Sequence, residues 1–223
     1  MITLASISKI YRTTTIETVA LNNLNLKIEK GEFVSVMGPS GCGKTTLLNI
    51  MGVLDTPTQG TITINNVDIG RLKNKEQAEF RNRNLGFIFQ SYHLIRTLTV
   101  TENVELPLLY RGISTTKSRQ LAEEALERVG LGHKIRMRHF PSQLSGGQCQ
   151  RVAIARALIG EPKVLLADEP TGNLDSIAGS EIIELLQKLN REDGQTIVMV
   201  THNEKQARQT YRTIRLLDGK LVM

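Results

Sequence analysis

Apolar and polar residues alternate along the start of the chain. Ile2, Leu4, Ile7 and Ile10 are set among polar residues, and Leu24, Leu26 and Ile28 alternate with Asn25, Lys27 and Glu29. This period of two predicts strands through the first 30 residues. A turn at Lys30-Gly31-Glu32 leads into Phe33-Val34-Ser35-Val36-Met37, a β-rich run suited to a buried strand. A glycine-rich segment over residues 38–43 follows, and residues 44–51 read as a helix. Thr61-Ile62-Thr63-Ile64 reads as another strand, closed by a turn at Asn65-Asn66. The period then lengthens. Leu121, Ala122, Ala125, Leu126 and Val129 share one helical face, opposite Glu123, Glu124, Glu127 and Arg128. A second helix is predicted over residues 148–159, and a third carries Ile182, Ile183, Leu185, Leu186 and Leu189. Strand-like runs at 164–167, 196–200 and 214–217 complete the pattern. Strands alternating with helices predict an α/β fold with a parallel sheet covered on both faces.

Composition narrows the class without naming a function. The chain has 223 residues, 40% hydrophobic and 22% charged, which is ordinary for a globular protein able to bury its own core. Aromatic residues make up 4%, with no Trp, which argues against an aromatic stacking platform for bases or sugars. Net charge is +6. That permits an anionic partner and selects none, because the basic residues are dispersed apart from short clusters such as residues 136–139. Cys42 and Cys149 are far apart and share no metal-ligand spacing with His, so neither a zinc site nor a disulfide framework is expected. No apolar run approaches the roughly 20 residues that cross a bilayer, and the start lacks the pattern of a signal peptide. A cytoplasmic location is expected, with any membrane link made through a partner.

Gly38-Pro39-Ser40-Gly41-Cys42-Gly43-Lys44-Thr45 fits the P-loop pattern G-x-x-x-x-G-K-[ST]. Its glycines let backbone N–H groups converge on phosphate oxygens, and the following helix presents its positive end. Lys44 is placed to reach the β- and γ-phosphates, and the Thr45 hydroxyl to ligate Mg²⁺. Val164-Leu165-Leu166-Ala167-Asp168-Glu169 is an apolar strand ending in two carboxylates. Asp168 is the candidate for the metal and Glu169 for the attacking water. Leu144-Ser145-Gly146-Gly147-Gln148 offers an N-cap serine and two glycines at a helix start, a second element able to face an anion.

These three motifs, in this order and spacing, resemble the ATPase of ABC transporters over essentially the whole chain. Further landmarks match. Gln90, after Gly86-Phe87-Ile88-Phe89, resembles the Q-loop glutamine that contacts Mg²⁺ and the helical subdomain. Asn173-Leu174-Asp175 resembles the D-loop, and His202 the switch histidine at the γ-phosphate. Tyr11, 27 residues before Gly38, resembles the aromatic that stacks on adenine. The resemblance implies that Tyr11, Gly38, Ser40, Gly41, Cys42, Gly43, Lys44, Thr45, Thr46 and Gln90 hold ATP. It makes Thr45, Gln90 and Asp168 the Mg²⁺ ligands and Glu169 and His202 the catalytic pair. It has Ser145, Gly146, Gly147 and Gln148 cover the ATP of a second copy, with Asp175 in the D-loop. The stretch from Phe87 through His93-Leu94-Ile95 to Glu102-Asn103-Val104-Glu105-Leu106-Pro107-Leu108 looks like the branch of the macrolide exporter MacB, the lipoprotein-releasing ATPase LolD and the cell-division ATPase FtsE. Cys42 and Cys149 depart from the commonest residues at their positions and suggest thiol sensitivity.

The resemblance implies a P-loop NTPase core over residues 1–90 and 160–223, with an N-terminal antiparallel β portion and a helical subdomain over 91–159. It implies a head-to-tail dimer with two ATP sites, transmembrane permease subunits as partners, and through them a periplasmic membrane-fusion protein. The expected place is the inner face of the plasma membrane, as a separate subunit or an excised domain. A chromosome-acting ABC ATPase would need a long coiled coil between Thr45 and Ser145. Only 99 residues lie there, with no sustained heptads, so no nucleic-acid partner is expected. A P-loop small-molecule kinase would lack the Ser-Gly-Gly-Gln element and His202.

Overall fold

The computed structural model describes residues 1–132 and 138–222. Part of the basic cluster at 136–139, namely Arg136 and Met137, lies outside the described residues. The chain divides into two compact units, residues 1–81 with 190–223 and residues 82–189.

The first unit contains two sets of strands. β1 (Ile2–Arg12), β2 (Glu17–Ile28), β4 (Gln59–Ile64) and β5 (Val67–Asp68) form an antiparallel sheet in the order β2-β1-β4-β5. Register explains the alternation in the sequence. Ile2 faces Ile28 and Ile64, and Leu4 faces Leu26 and Ile62. All six are buried, so one face carries the apolar set and the other the polar residues between them. β3 (Phe33–Met37) lies between β8 (Thr196–Val200) and β9 (Arg212–Leu217), parallel to both, and β10 (Lys220–Val222) runs antiparallel to β9. Every residue of β3 and β8 is buried, which is why they read as continuous apolar runs. Ser35, the polar residue inside β3, exchanges hydrogen bonds with Thr213 and Thr210 hydroxyls at 3.1 Å each. Helix α1 (Lys44–Met51) follows β3 and buries Leu47, Leu48, Ile50 and Met51.

In the second unit β6 (Leu85–Phe89) pairs in parallel with β7 (Val164–Asp168). Between them in sequence come α3 (Val100–Leu109), α4 (Thr115–Arg128) and α5 (Gly146–Leu158). Thr99 and Glu102 form a capping box at the start of α3. Asn103, fully buried, accepts from the Ile95 N–H and donates to the carbonyls of Ile95, Leu98 and Thr99, fixing the loop that follows Gln90. The face of α4 expected from periodicity is buried at Ala122, Ala125 and Leu126.

α5 starts two residues earlier than the periodicity suggested, because Ser145 caps it and pairs with Gln148 in a capping box. The 18-residue α6 (Ser176–Asp193) carries the expected apolar stripe, and a short α7 (Glu204–Ala207) follows β8. Helix α2 (Asn74–Asn84) was not anticipated: it buries no residue, so no apolar stripe announces it. Among the described residues no helix is long and apolar enough to cross a membrane.

Candidate nucleotide site

The P-loop joins β3 to α1, and its glycines are required by space as well as by conformation. Gly43 has φ +104°, and a Cβ there would stand 2.3 Å from the Ala20 carbonyl oxygen. A Cβ on Gly38 would stand 2.1 Å from the Leu216 carbonyl oxygen. The loop is held from outside as well: Gly219 N–H donates to Cys42 O at 3.1 Å, and Asn22 N–H to Gly219 O at 2.9 Å. Helix α1 has no side-chain cap and no acidic residue in its first turn. Its first N–H groups and its positive end therefore face the loop uncompensated by an anion of this chain's own helix start. Lys44 Nζ lies along the loop, donating to the carbonyls of Gly38 and Pro39 at 2.8 Å each. Ser40, Gly41 and Thr45 are exposed, and Gly43, Lys44 and Thr46 half-buried.

His202 leaves the same edge of the first unit as the P-loop. Val36 and Val200 are register partners, and Thr201 N–H donates to Val36 O at 3.2 Å. The exposed His202 and the residues from Gly38 onward thus both emerge at the carboxyl ends of parallel strands, where α/β sheets bind their ligands. Tyr11 is 41% exposed near the end of β1. Its hydroxyl donates to Asp55 Oδ2 at 2.9 Å, and Lys9 Nζ lies 4.9 Å from its ring centroid. Lys9 also donates to Asp55 Oδ1 at 2.5 Å. Burial pushes the Asp55 carboxyl up, but hydrogen bonds from Lys9, Tyr11 and the Thr56 N–H outweigh it and hold the group below its ordinary value. Lys9 and Asp55 carry no motif, and only their place beside Tyr11 marks them.

The second unit repeats the pattern of strand ends. Phe89 and Asp168 are register partners in β6 and β7, so Gln90 and Glu169 emerge at one edge of that pair. Asp168 and Glu169 are half-buried, and Glu169 has φ +46°, a left-handed conformation uncommon outside glycine. Gly172 N–H donates to Glu169 O at 3.0 Å and closes the turn. Gln90 and Asn173 form a reciprocal pair: Gln90 Nε2 donates to Asn173 Oδ1 at 3.0 Å, and Asn173 Nδ2 to Gln90 O at 3.1 Å. Among the described residues nothing takes Gln90 Oε1, which leaves an acceptor oxygen of the kind a hard cation binds. Asp175 Oδ1 accepts the N–H groups of Ile177 and Ala178 at 2.9 Å each and caps α6.

Ser145 is exposed, and its Oγ accepts the Gln148 N–H at 3.3 Å while Gln148 Oε1 accepts the Ser145 N–H at 3.0 Å. Gly146 and Gly147 follow directly, both half-buried. A Cβ on Gly146 would meet Tyr92 Oη at 2.9 Å and Leu174 Cδ2 at 3.2 Å, so this glycine is constrained by its own chain. Tyr92 and His93 have φ of +60° and +48°, and Arg156 from α5 donates to both their carbonyls, at 2.7 and 2.6 Å. Tyr92 and Arg156 were missed as site residues, and Asn173, read only as part of the D-loop, was not expected to hold Gln90, because nothing in the local sequence links positions more than 60 residues apart.

The thiols correct an expectation. Cys42 and Cys149 are 4% and 7% exposed, and burial pushes the Cys149 thiol up, away from the reactive thiolate. Thiol sensitivity at the protein surface is not expected from either. Among the described residues no cluster of three or more His, Cys, Asp or Glu side chains could hold a metal ion.

Comparison with known proteins fits this geometry. The family model for ABC transporters matches residues 21–172. An uncharacterised ABC transporter ATP-binding protein of Methanocaldococcus jannaschii is 51% identical over 222 residues, covering 100% of this chain and 98% of its own. The lipoprotein-releasing system ATP-binding protein LolD of Colwellia psychrerythraea is 47% identical over 215 residues, covering 96% of this chain and 83% of its own. The solved dimeric ATP-binding cassette MJ0796, described in a post-hydrolysis state bound to ADP and Pi, matches with a TM-score of 0.91 at 47% identity, covering 100% of this chain and 97% of that one. P-loop, Ser145–Gln148 element and paired carboxylates therefore stand in a chain that belongs to the ABC transporter family, as an ATP-binding cassette and an ATPase.

Proposed function

We propose that this chain works as a head-to-tail dimer, with the P-loop of one copy and the Ser145–Gln148 element of the other enclosing each ATP. The dimeric cassette at 47% identity is the observation that carries this reading. A two-fold dimer makes both sites from one sequence. The P-loop N–H groups and Lys44 bind the phosphates, and Tyr11, fixed by Asp55 and Lys9, offers its ring to the adenine. Glu169 takes a proton from the attacking water, and His202 contacts the γ-phosphate.

Mg²⁺ would be held by oxygen donors: the family resemblance assigns it the Thr45 hydroxyl, the Gln90 amide oxygen and the Asp168 carboxylate, residue types suited to that ion. Mg²⁺, when bound, neutralises charge on the phosphates.

ATP closes the dimer, hydrolysis reopens it, and the movement drives transmembrane permease subunits from the inner face of the membrane. Likeness to lipoprotein-releasing cassettes at 46–49% identity favours a lipoprotein-releasing system as the working assembly. A MacB-like exporter, with a periplasmic membrane-fusion protein reached through the permease, is the reading supported by the sequence resemblance alone.

The test is Glu169→Gln, which keeps size but removes the charge that activates water. ATP binding should survive, hydrolysis should fall at least 100-fold, about 2.7 kcal/mol, and a dimer should accumulate with ATP and Mg²⁺ in size-exclusion chromatography. A monomeric, fully active variant would remove both Glu169 and the dimer from the mechanism.

A further inference from the structure

Gln150 is fully buried in α5, and its side chain makes a single hydrogen bond: Nε2 donates to the Pro170 carbonyl at 2.6 Å. Its Oε1 has no hydrogen-bond partner among the described residues. An unpaired buried acceptor destabilises a fold, and an apolar side chain of the same length would fill the space without one. Packing alone thus gives no reason for a glutamine here. The donor end supplies the reason, because Pro170 directly follows Glu169, the residue held at φ +46°. The Glu169 carbonyl is already engaged by the Gly172 N–H at 3.0 Å. Gln150 fixes the next carbonyl along, so both peptide oxygens of the strained turn are engaged, one from within and one from α5. A left-handed non-glycine residue persists only where its surroundings over-determine it.

We infer that Gln150 is a positioning residue for Glu169: by holding the Pro170 carbonyl it keeps the Glu169 backbone in the conformation from which its carboxylate meets water. This inference rests on Glu169 being the general base. It has a corollary for the fold of the second unit. Gln150 lies four residues, about one helical turn, after Gly146. The helix that begins with the Ser145–Gln148 element is therefore hydrogen-bonded to the turn that carries the carboxylate.

Gln150→Met keeps the length, removes the donor and removes the orphan acceptor. Thermal midpoint should stay at or above wild type, and ATP affinity and KM should be unchanged. The kcat should fall about 10-fold, since small misplacements of a catalytic group are strongly amplified. Gln150→Glu supplies a second readout. Its carboxyl donates to Pro170 only while protonated, and burial raises its pKa, so its turnover relative to wild type should decline as pH rises. In a Glu169→Gln background, single-turnover hydrolysis should not fall further on adding Gln150→Met, because Gln150 acts through Glu169.

Wild-type kcat in Gln150→Met would overturn the inference, as would a loss that tracks the thermal midpoint, a Gln150→Glu variant with the wild-type pH profile, or additive losses in the double variant. If Glu169→Gln alone turns over normally, the general-base reading fails, and this inference falls with it. If that variant is inactive while Gln150→Met is normal, only the inference fails.

Discussion

The P-loop and the Gln90–Gly146–Glu169 region hold their functional groups by opposite means. In the P-loop the backbone is the functional surface, shaped by glycines whose Cβ positions are already occupied by carbonyl oxygens of Ala20 and Leu216. In the second unit the work is done by side chains: the Gln90–Asn173 pair, Arg156 on the Tyr92 and His93 carbonyls, and Gln150 on Pro170. Backbone against backbone leaves no rotamer to absorb a substitution. Side-chain networks can relax, so their variants should be damaged in graded fashion, and in activity before stability.

Gly43→Ala should give the largest effect. The new Cβ meets a backbone oxygen at 2.3 Å in a conformation disfavoured for L-residues, and a loss of about 4 kcal/mol is expected in chemical unfolding, with nucleotide binding abolished. A stability within 1 kcal/mol of wild type, by the same estimate for surface sites, would show that the loop can yield and would erase the contrast.

Lys44→Ala leaves that backbone intact and removes one charge-assisted contact to phosphate. ATP affinity should weaken by roughly 1.5–3 kcal/mol, read by titration with a fluorescent ATP analogue.

Gly146→Ala sits between the two regimes. Its Cβ would press on Tyr92 Oη and Leu174 Cδ2, both ends of side chains, so about 1 kcal/mol should be lost. Adding Tyr92→Phe removes the nearest atom and should return part of that stability. If ATP-driven dimerisation of the Glu169→Gln form returns with it, the glycine is needed for space within its own chain. If dimerisation stays lost, the glycine is needed for approach to the partner's ATP.

Asp55→Asn should have the smallest effect, about 1 kcal/mol for a partly exposed pair. Its pH dependence sharpens the assignment. The folded-state carboxyl lies below its ordinary value of 3.8, so its stabilisation is present above that value and lost as pH falls through the folded-state value. The gap in thermal midpoint between wild type and Asp55→Asn should hold at pH 7 and close in acid below 3.8. A gap unchanged in acid would mean that the asparagine loses shape rather than charge.

The ease of reading each region in the sequence follows the same division. The P-loop, the Asp168-Glu169 strand end and the Ser145 cap are local patterns, each set by neighbours within a few residues, and periodicity placed β3, β8 and α1 correctly for the same reason. Helix α2 escaped because it buries nothing, and the start of α5 shifted because its cap, rather than its apolar stripe, sets the first turn. Gln150 left a faint trace, a polar residue on the face that continues through Ala153, Ile154 and Ala157.

By itself the sequence determined a phosphate-binding loop and a strand ending in two carboxylates, because each is a local pattern of residue types at fixed short spacings. The resemblance of these motifs to ABC ATPases implied that the bound nucleoside triphosphate is hydrolysed. Tertiary structure decided which side chains hold those residues in place. Asn173 meets Gln90 from 83 positions away, Arg156 meets Tyr92 from 64, and Gln150 meets Pro170 from 20. A hydrogen bond needs its two ends within about 3 Å, and between residues far apart in the chain that closeness is created only when strands and helices pack.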